Sequence, residues 1–542
     1  VELSMAKKYI YVVVKATAPN GTEVELKAVT QNAIVGLTVG DYVNYVPTSK
    51  TITTDTSKTG YDSAQTLTTQ ANTQWRIFSI DQTTGEVLLT TQGATNTDTK
   101  VYLRGATGYL YGAEELNRIC KELYSSGSLT ARSMTLEDLN KAVGGYDPTT
   151  DKNYGKEYTH TSGTFYTYEE NGKTVTSGTP KVASSSNPVT VKYTYYTYNL
   201  SSKNSLVGNI LENSAGWLAS QCVGVNSSNA AFRMYFTDSS YAYARALYSS
   251  DDNNLTPTYG LHPVVSVHSS LLKLDDESKD GQTADTAWEL MDLKVGDYVN
   301  YVPTSNAVTT DTSKTGYDIT QTLTTPSSTE WRVFNIDWST GEVLLTVQGV
   351  ANTGTKVTLK GAAGYLYGAE ELNRICKELY SSTNLTARSM TEEDLNKAVG
   401  YDPTTYSNYG IEYTYTKGRF YTYEEDGKTV TSTTPKVASS SNPVTVKDTY
   451  YYYDLSSKNS AVGNILGSGY RWLASSYVGE DSIGMRSASS SGIYGYGLYS
   501  SDGSYDTPTL GLHPVVSINA NLLDIEDENK DGTTASTAWN LK

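Results

Sequence analysis

The sequence predicts an α+β fold: two tandem domains rich in antiparallel strands, each with about two helices, behind an N-terminal β segment. Three observations carry this. A long internal repeat defines the domains, period-two alternation marks the strands, and short stretches of helical periodicity mark the helices.

The repeat organises the rest. Val39-Gly-Asp-Tyr-Val-Asn-Tyr-Val-Pro-Thr-Ser49 recurs as Val295-Gly-Asp-Tyr-Val-Asn-Tyr-Val-Pro-Thr-Ser305, and the match runs on to Thr286-Ala-Trp288 and Thr537-Ala-Trp539. A unit of about 250 residues is far longer than a solenoid repeat and can bury its own core. The domains that follow are an N-terminal segment at 1–36, repeat one at 37–290 and repeat two at 291–542.

Within a repeat, 75–80 and 87–91 alternate around a Gly-containing loop and read as a hairpin, with a counterpart at 331–346. A second hairpin is expected where 165–169 and 173–176 flank Asn171-Gly172, replaced by Asp426-Gly427 in the other copy; both dipeptides tolerate the positive φ of a type I′ turn. Residues 113–125 place Leu116, Ile119, Cys120 and Leu123 on one helical stripe, opposite Glu114, Glu115, Arg118 and Glu122. A second helix is expected after Thr135, whose hydroxyl can cap the amide of Asp138; its twin follows Thr391.

Outside the repeat, 8–16 and 23–29 alternate on either side of Pro19-Asn20-Gly21. A two-stranded hairpin is marginal alone in water, so this pair is expected either to lie on a repeat or to add to a neighbouring molecule. Tyr9, Ile10, Tyr11, Val12, Val13 and Val14 are the assembly candidates, and self-association into a higher-order structure is the expectation.

Bulk composition narrows the function classes. The formal net charge of -16 repels phosphate backbones, and no basic patch interrupts it, so nucleic acid is not an expected partner. The longest apolar run near the N-terminus, 9–14, is far short of the roughly 20 residues that span a bilayer, so no membrane-spanning segment is expected. Abundant Ser, Thr and Gly with 46 tyrosines suit a β-rich extracellular protein, and a chain opening at Val1 leaves room for a removed leader.

Reactive chemistry is sparse. The three cysteines, Cys120, Cys222 and Cys376, are too few and too scattered for a disulfide framework and read as buried thiols. The four histidines, His160, His262, His268 and His513, sit in no catalytic motif, so an enzyme is not expected. No cofactor is expected, with one weak calcium candidate: Asp527, Asn529 and Asp531 alternate before Gly532, but Ala538 stands where a calcium loop needs its last acidic ligand.

The two copies agree closely except between Gly224 and Leu247, and between Gly479 and Leu498. Copy one offers Asn226, Asn229, Phe232, Arg233, Tyr235, Tyr241, Tyr243 and Arg245 there; copy two offers Glu480, Asp481, Arg486, Tyr494 and Tyr496. These are residue types that adaptable recognition surfaces use, and together they are the ligand-binding candidates, set against a tolerant surface loop.

Trp217-Leu-Ala-Ser220, the variable stretch and Gly260-Leu-His-Pro-Val-Val-Ser266, with Trp472-Leu-Ala-Ser475 and Gly511-Leu-His-Pro-Val-Val-Ser517 in copy two, resemble the C-terminal half of bacterial and phage C-type-lectin-like domains. That group is related to the formylglycine-generating-enzyme fold, and its members often end in Gly-x-Arg-Pro; His262 and His513 stand here where Arg is usual. The resemblance covers about a third of each repeat and implies a non-catalytic scaffold that displays variable residues to a protein or glycan ligand. The function expected is an extracellular structural or adhesive protein, a filament subunit at a cell surface; the alternative is a receptor-binding or decoration protein of a phage virion.

Overall fold

The computed structural model describes residues 11–17, 23–29, 36–127, 129–166, 179–212, 214–273, 279–326, 329–349, 356–421, 434–455, 457–480, 482–524 and 530–541. The fold is α+β, with helices set against antiparallel sheets. The chain divides into two compact units, Val1–Met291 with Trp338–Thr340, and Asp292–Asp337 with Gly341–Lys542.

Unit one is built on two sheets. The larger has seven strands in the order Leu272–Lys273, Trp288–Leu290, Tyr42–Asn44, Trp75–Ile80, Glu86–Thr91, Pro263–His268 and Ala131–Ser133. The smaller has six, in the order Tyr198–Asn199, Tyr241–Ser249, Ala230–Thr237, Gly216–Val225, Thr258–Leu261 and Val101–Tyr102. The hairpin read from 75–91 sits at the centre of the first sheet, Ile80 opposite Val87 and Trp75 opposite Thr91. Unit two has the same two strand orders, centred on Trp331–Asp337 with Glu342–Val347 and on Arg471–Val478 with Ser482–Ser489.

Each unit is closed by a parallel pairing of its last strand with the first strand of its repeat: Trp288 with Val43, and Trp539 with Val299. A buried carboxylate holds the closure. Asp41, 1% exposed, accepts from the Thr38 amide at 2.9 Å, the Thr38 hydroxyl at 2.5 Å and the Trp288 indole at 3.0 Å. Gly281 approaches that indole with φ +73°, and a Cβ there would lie 2.3 Å from Trp288 Nε1, so only glycine fits. Asp297, Trp539 and Gly532 repeat the device, the indole to carboxylate distance being 3.2 Å.

The long helix runs Gly105–Tyr124, starting well before the apolar stripe that betrays it. Gly105, Gly108 and Gly112 weaken helix propensity over its first turns and hide them from periodicity. Gly108 has a packing reason: a Cβ would meet the Thr59 carbonyl oxygen at 2.7 Å. The second helix, Leu136–Ala142, opens with a reciprocal capping box between Thr135 and Asp138, as its residues predict, and Thr391 with Asp394 does the same in unit two.

One reading of the long helix needs correction. Glu115 is placed by periodicity on the polar face, yet it is fully buried, because the segment around the short helix Thr56–Thr59 covers that face. Its carboxylate accepts from the Asp55 amide at 2.7 Å and from two nitrogens of Arg118, at 2.8 and 2.7 Å. Burial without water is compensated by this full set of donors. Glu371, Asp311 and Arg374 repeat it in unit two.

The N-terminal strands are Tyr11–Thr17 and Glu23–Val29, antiparallel from Tyr11 opposite Val29 to Thr17 opposite Glu23, and they form a two-stranded sheet. Tyr9 and Ile10 lie outside the described residues, as do the Asn171-Gly172 and Asp426-Gly427 turns. On either side of those turns, Gly163–Phe165 pairs with Lys181–Ala183, and Gly418–Phe420 with Lys436–Ala438.

Glu115→Ala removes the acceptor of a buried amide and a half-buried guanidinium, and is expected to cost about 3 kcal/mol. Glu122→Ala, which breaks the other Arg118 pair at a carboxylate 40% exposed, should cost less than about 1 kcal/mol. Urea unfolding of the full chain checks both.

Candidate recognition surface

The windows where the copies differ are strands. Gly216–Val225, Ala230–Thr237 and Tyr241–Ser249 form an antiparallel meander, so the variable stretch is not the surface loop set against the recognition reading. Two polar turns join them. The Asn226 side chain accepts from the Ser228 and Asn229 amides at 2.8 and 3.0 Å, and the Asp238 side chain from the Ser240 and Tyr241 amides at 2.7 and 3.1 Å. Both Asn226 and Asn229 are exposed at their turn.

Because side chains alternate along a strand, three of the candidates, Phe232, Tyr235 and Arg486, fall inside. Phe232 and Tyr235 are core residues at 0% and 1% exposure, so neither lies on a recognition surface. Phe232 meets Tyr109 of the long helix at 5.2 Å between ring centroids. Tyr235 packs with Ala242, Ala244, Cys222, Tyr196 and Tyr198, and its hydroxyl bridges the Tyr196 amide and carbonyl at 3.1 Å each. Arg233, half-buried, lies over the Tyr195 ring at 5.1 Å and donates to the Ala244 carbonyl at 3.3 Å.

In unit two the pairings Trp217 with Phe236 and Trp472 with Ser487 put Arg486 where unit one has Tyr235. Arg486 is fully buried, which removes it too from the surface. It donates to the Tyr451 and Thr449 carbonyls at 2.6 Å each and pairs with Glu392 at 2.8 Å, a carboxylate 4% exposed. Glu392 stands where unit one has Leu136, so Leu136 and Tyr235, both members of the unit-one core cluster, are exchanged for an ion pair. A size exchange accompanies it: Cys222 opposite Arg233 in unit one becomes Tyr477 opposite Gly484 in unit two. Much of the divergence between the copies is therefore compensated repacking of an interior face.

The outward face is different. Tyr241, Tyr243 and Arg245 alternate with buried Ala242 and Ala244. Tyr243 stacks on Phe236 at 5.7 Å, Phe236 on Tyr259 at 4.1 Å with planes 5° apart, and Tyr241 lies 4.9 Å from Tyr243. Arg245 Nε donates to the Tyr259 hydroxyl at 3.0 Å. Tyr259 lies outside the variable window and is brought in by the parallel pairing of Gly216 with Gly260. Its only sequence signal is its place one residue before the Gly-Leu-His-Pro motif. In unit two the row is rebuilt around Tyr470, edge-on to Tyr494 at 5.3 Å and Tyr496 at 6.0 Å. Glu480 is exposed, its carbonyl accepting from the Tyr415 hydroxyl, and Asp481 lies outside the described residues.

The other chemistry-bearing groups are interior. Burial raises the Cys120 thiol and pushes Cys222 and Cys376 up to about 12, which disfavours their thiolates. His262 is fully buried, its Nε2 3.2 Å from the Thr237 carbonyl, and burial pushes its imidazole down to about 4. His513 is driven well down by burial and by Arg471. The tyrosine runs split likewise: Tyr196 and Tyr198 are core residues hydrogen-bonded to Asn140 at 2.8 Å, while Tyr193 and Tyr195 are half-buried. Of the calcium candidate, Asp527 and Asn529 lie outside the described residues; Asp531 accepts from Thr533 and its neighbours in a turn. Among the described residues, no cluster of His, Cys, Asp and Glu has the makings of a metal site, and no helix is long and apolar enough to cross a membrane.

With the geometry in hand, the class is that of an α+β protein presenting an aromatic sheet face. No protein-family model, curated protein or solved structure matches the chain.

Two outcomes are expected. Glu392→Leu strands Arg486 and should cost about 3–5 kcal/mol, whereas Glu392→Leu with Arg486→Tyr, the unit-one pair, should recover at least half of that in urea unfolding. His262 is neutral when folded, and the unfolded chain takes up a proton as pH falls below about 6.5. Stability should therefore fall from pH 6.5 to 4, by about 3 kcal/mol from this group. His262→Gln should flatten that slope in parallel denaturant titrations.

Proposed function

We propose that the chain is a non-enzymatic, extracellular surface protein, structural and adhesive in role, in which two scaffolds of like strand order hold recognition faces outward. The observation that supports this most directly is the contrast between frame and face. Strand orders, closures, capping boxes and buried carboxylates agree from unit to unit, whereas along the outward row Tyr241, Arg245 and Tyr259 become Gly492, Tyr496 and Leu510, beside a buried position where Phe236 becomes Ser487. A face that varies on a kept frame is what a display scaffold needs.

The C-type-lectin-like resemblance points the same way. So do the buried thiols and the neutral buried histidines, which suit packing better than proton or acyl transfer.

Assembly into a filament is part of this reading. The antiparallel register pairs positions 12, 14 and 16 with 28, 26 and 24 in a sheet of two strands. A two-stranded sheet is marginal alone in water and gains stability from a partner.

Deleting residues 1–36 should abolish assembly while circular dichroism and the urea midpoint of the two units stay unchanged. Electron microscopy of the native material checks the architecture: fibres that disappear with the deletion support the filament. Fibres that survive it overturn the docking role of the segment, and decorated virion particles favour the phage alternative.

A further inference from the structure

We propose that the outward face of unit one captures an extended, acidic peptide segment of a partner protein, whose carboxylate is taken by Arg245. This rests on the reading of that face as a recognition surface and adds the chemistry of what it recognises.

Ring geometry is the first argument. Phe236 and Tyr259 lie face to face at 4.1 Å and 5°, and Tyr243 continues the stack on Phe236 at 23°. The two inner rings thus spend their faces on one another, with Phe236 buried and Tyr259 half-buried against Trp217. Stacking on a sugar needs an open face, so these two rings offer a pyranose nothing.

Arg245 supplies the second. It is exposed, its Nε is held by the Tyr259 hydroxyl at 3.0 Å, and its guanidinium lies 5.8 Å from the Phe236 ring. No described residue takes its terminal nitrogens, which leaves a two-pronged donor edge, anchored at one end, for a carboxylate. On a chain of formal net charge -16 this is a local cation among hydroxyls.

The strand edge selects a peptide. Tyr241–Ser249 is paired on its outer side with Tyr198–Asn199 at only Tyr241 and Ala242, and the loop beyond it holds the Leu247 carbonyl and the Ser249 amide, at 2.8 and 3.0 Å. Residues 243–246 have no strand on that side among the described residues, and Arg233 takes one of their carbonyls, that of Ala244. A short added strand fits the gap, and its neighbouring side chain would stand beside Arg245 on the same face, the placement in which opposite charges attract across strands. Unit two has Tyr496 at the Arg245 position, so the capture belongs to unit one.

The test uses the full chain, wild type and Arg245→Gln, with three fluorescent probes: an alternating Thr-Glu octapeptide, its Thr-Gln counterpart and polygalacturonate. The Thr-Glu peptide should bind, weaken at least tenfold in Arg245→Gln, and weaken further as salt rises from 50 to 300 mM. Equal binding of the Thr-Gln peptide, or Thr-Glu binding unchanged in Arg245→Gln, overturns the carboxylate contact. Arg245-dependent binding of polygalacturonate in place of the peptide overturns the peptide assignment and leaves the recognition surface standing. Absence of any Arg245-dependent binding overturns both. An unchanged urea midpoint for Arg245→Gln, a fully surface substitution, confirms that the fold is not what changed.

Discussion

A strand has two faces and no third place for a side chain, and in each unit one face of the central meander is closed off by tyrosines and helices. That single constraint explains the division of labour found here. Every second residue of Ala230–Thr237 and Tyr241–Ser249 must be compatible with a dry interior, and the alternate residues are free to differ wherever the long helix does not cover them. The interior can still change, but only in sets. Leu136 with Tyr235 becomes Glu392 with Arg486, and Cys222 with Arg233 becomes Tyr477 with Gly484, each change matched by another.

The exchange of an apolar pair for an ion pair is instructive about energetics. A buried pair is costly to desolvate and is worth keeping only when every lone pair and donor is met. Arg486 is held by two backbone carbonyls, by the ion pair with Glu392 and by the ring of Tyr451 at 4.1 Å. In unit one the Tyr235 hydroxyl serves the same stretch of backbone at Tyr196. Two unlike side chains thus solve one problem, that of strand polar groups left open between elements. Asp41 and Asp297 at the closures, and Glu115 and Glu371 on the long helices, follow the same rule.

These buried polar groups also separate structure from recognition. Glu115, Glu371 and Arg486 are held by partners within their units and lie away from solvent, so they offer nothing to a ligand. Arg245 differs: anchored through one nitrogen and exposed beyond it, it keeps donors in hand. Its setting among stacked rings comes from three successive strands, Ala230–Thr237, Tyr241–Ser249 and Thr258–Leu261, which pairing gathers into one sheet.

Local pattern was enough to read the repeat, the central hairpin at 75–91, the capping boxes at Thr135 and Thr391 and the α+β class, since each depends on neighbours in the chain or on alternation within one element. The same patterns misplaced Glu115, hid the first turns of the Gly105–Tyr124 helix and left Phe232, Tyr235 and Arg486 among the surface candidates. Those errors share a cause. Which face of a helix or strand is covered, and whether a glycine is there for freedom or for close approach, is set by elements far away in sequence: the 51–60 segment over Glu115, the long helix over Phe232, and the Gly260 strand that delivers Tyr259 to the row. Periodicity divides residues into two sides; long-range packing chooses which side meets water.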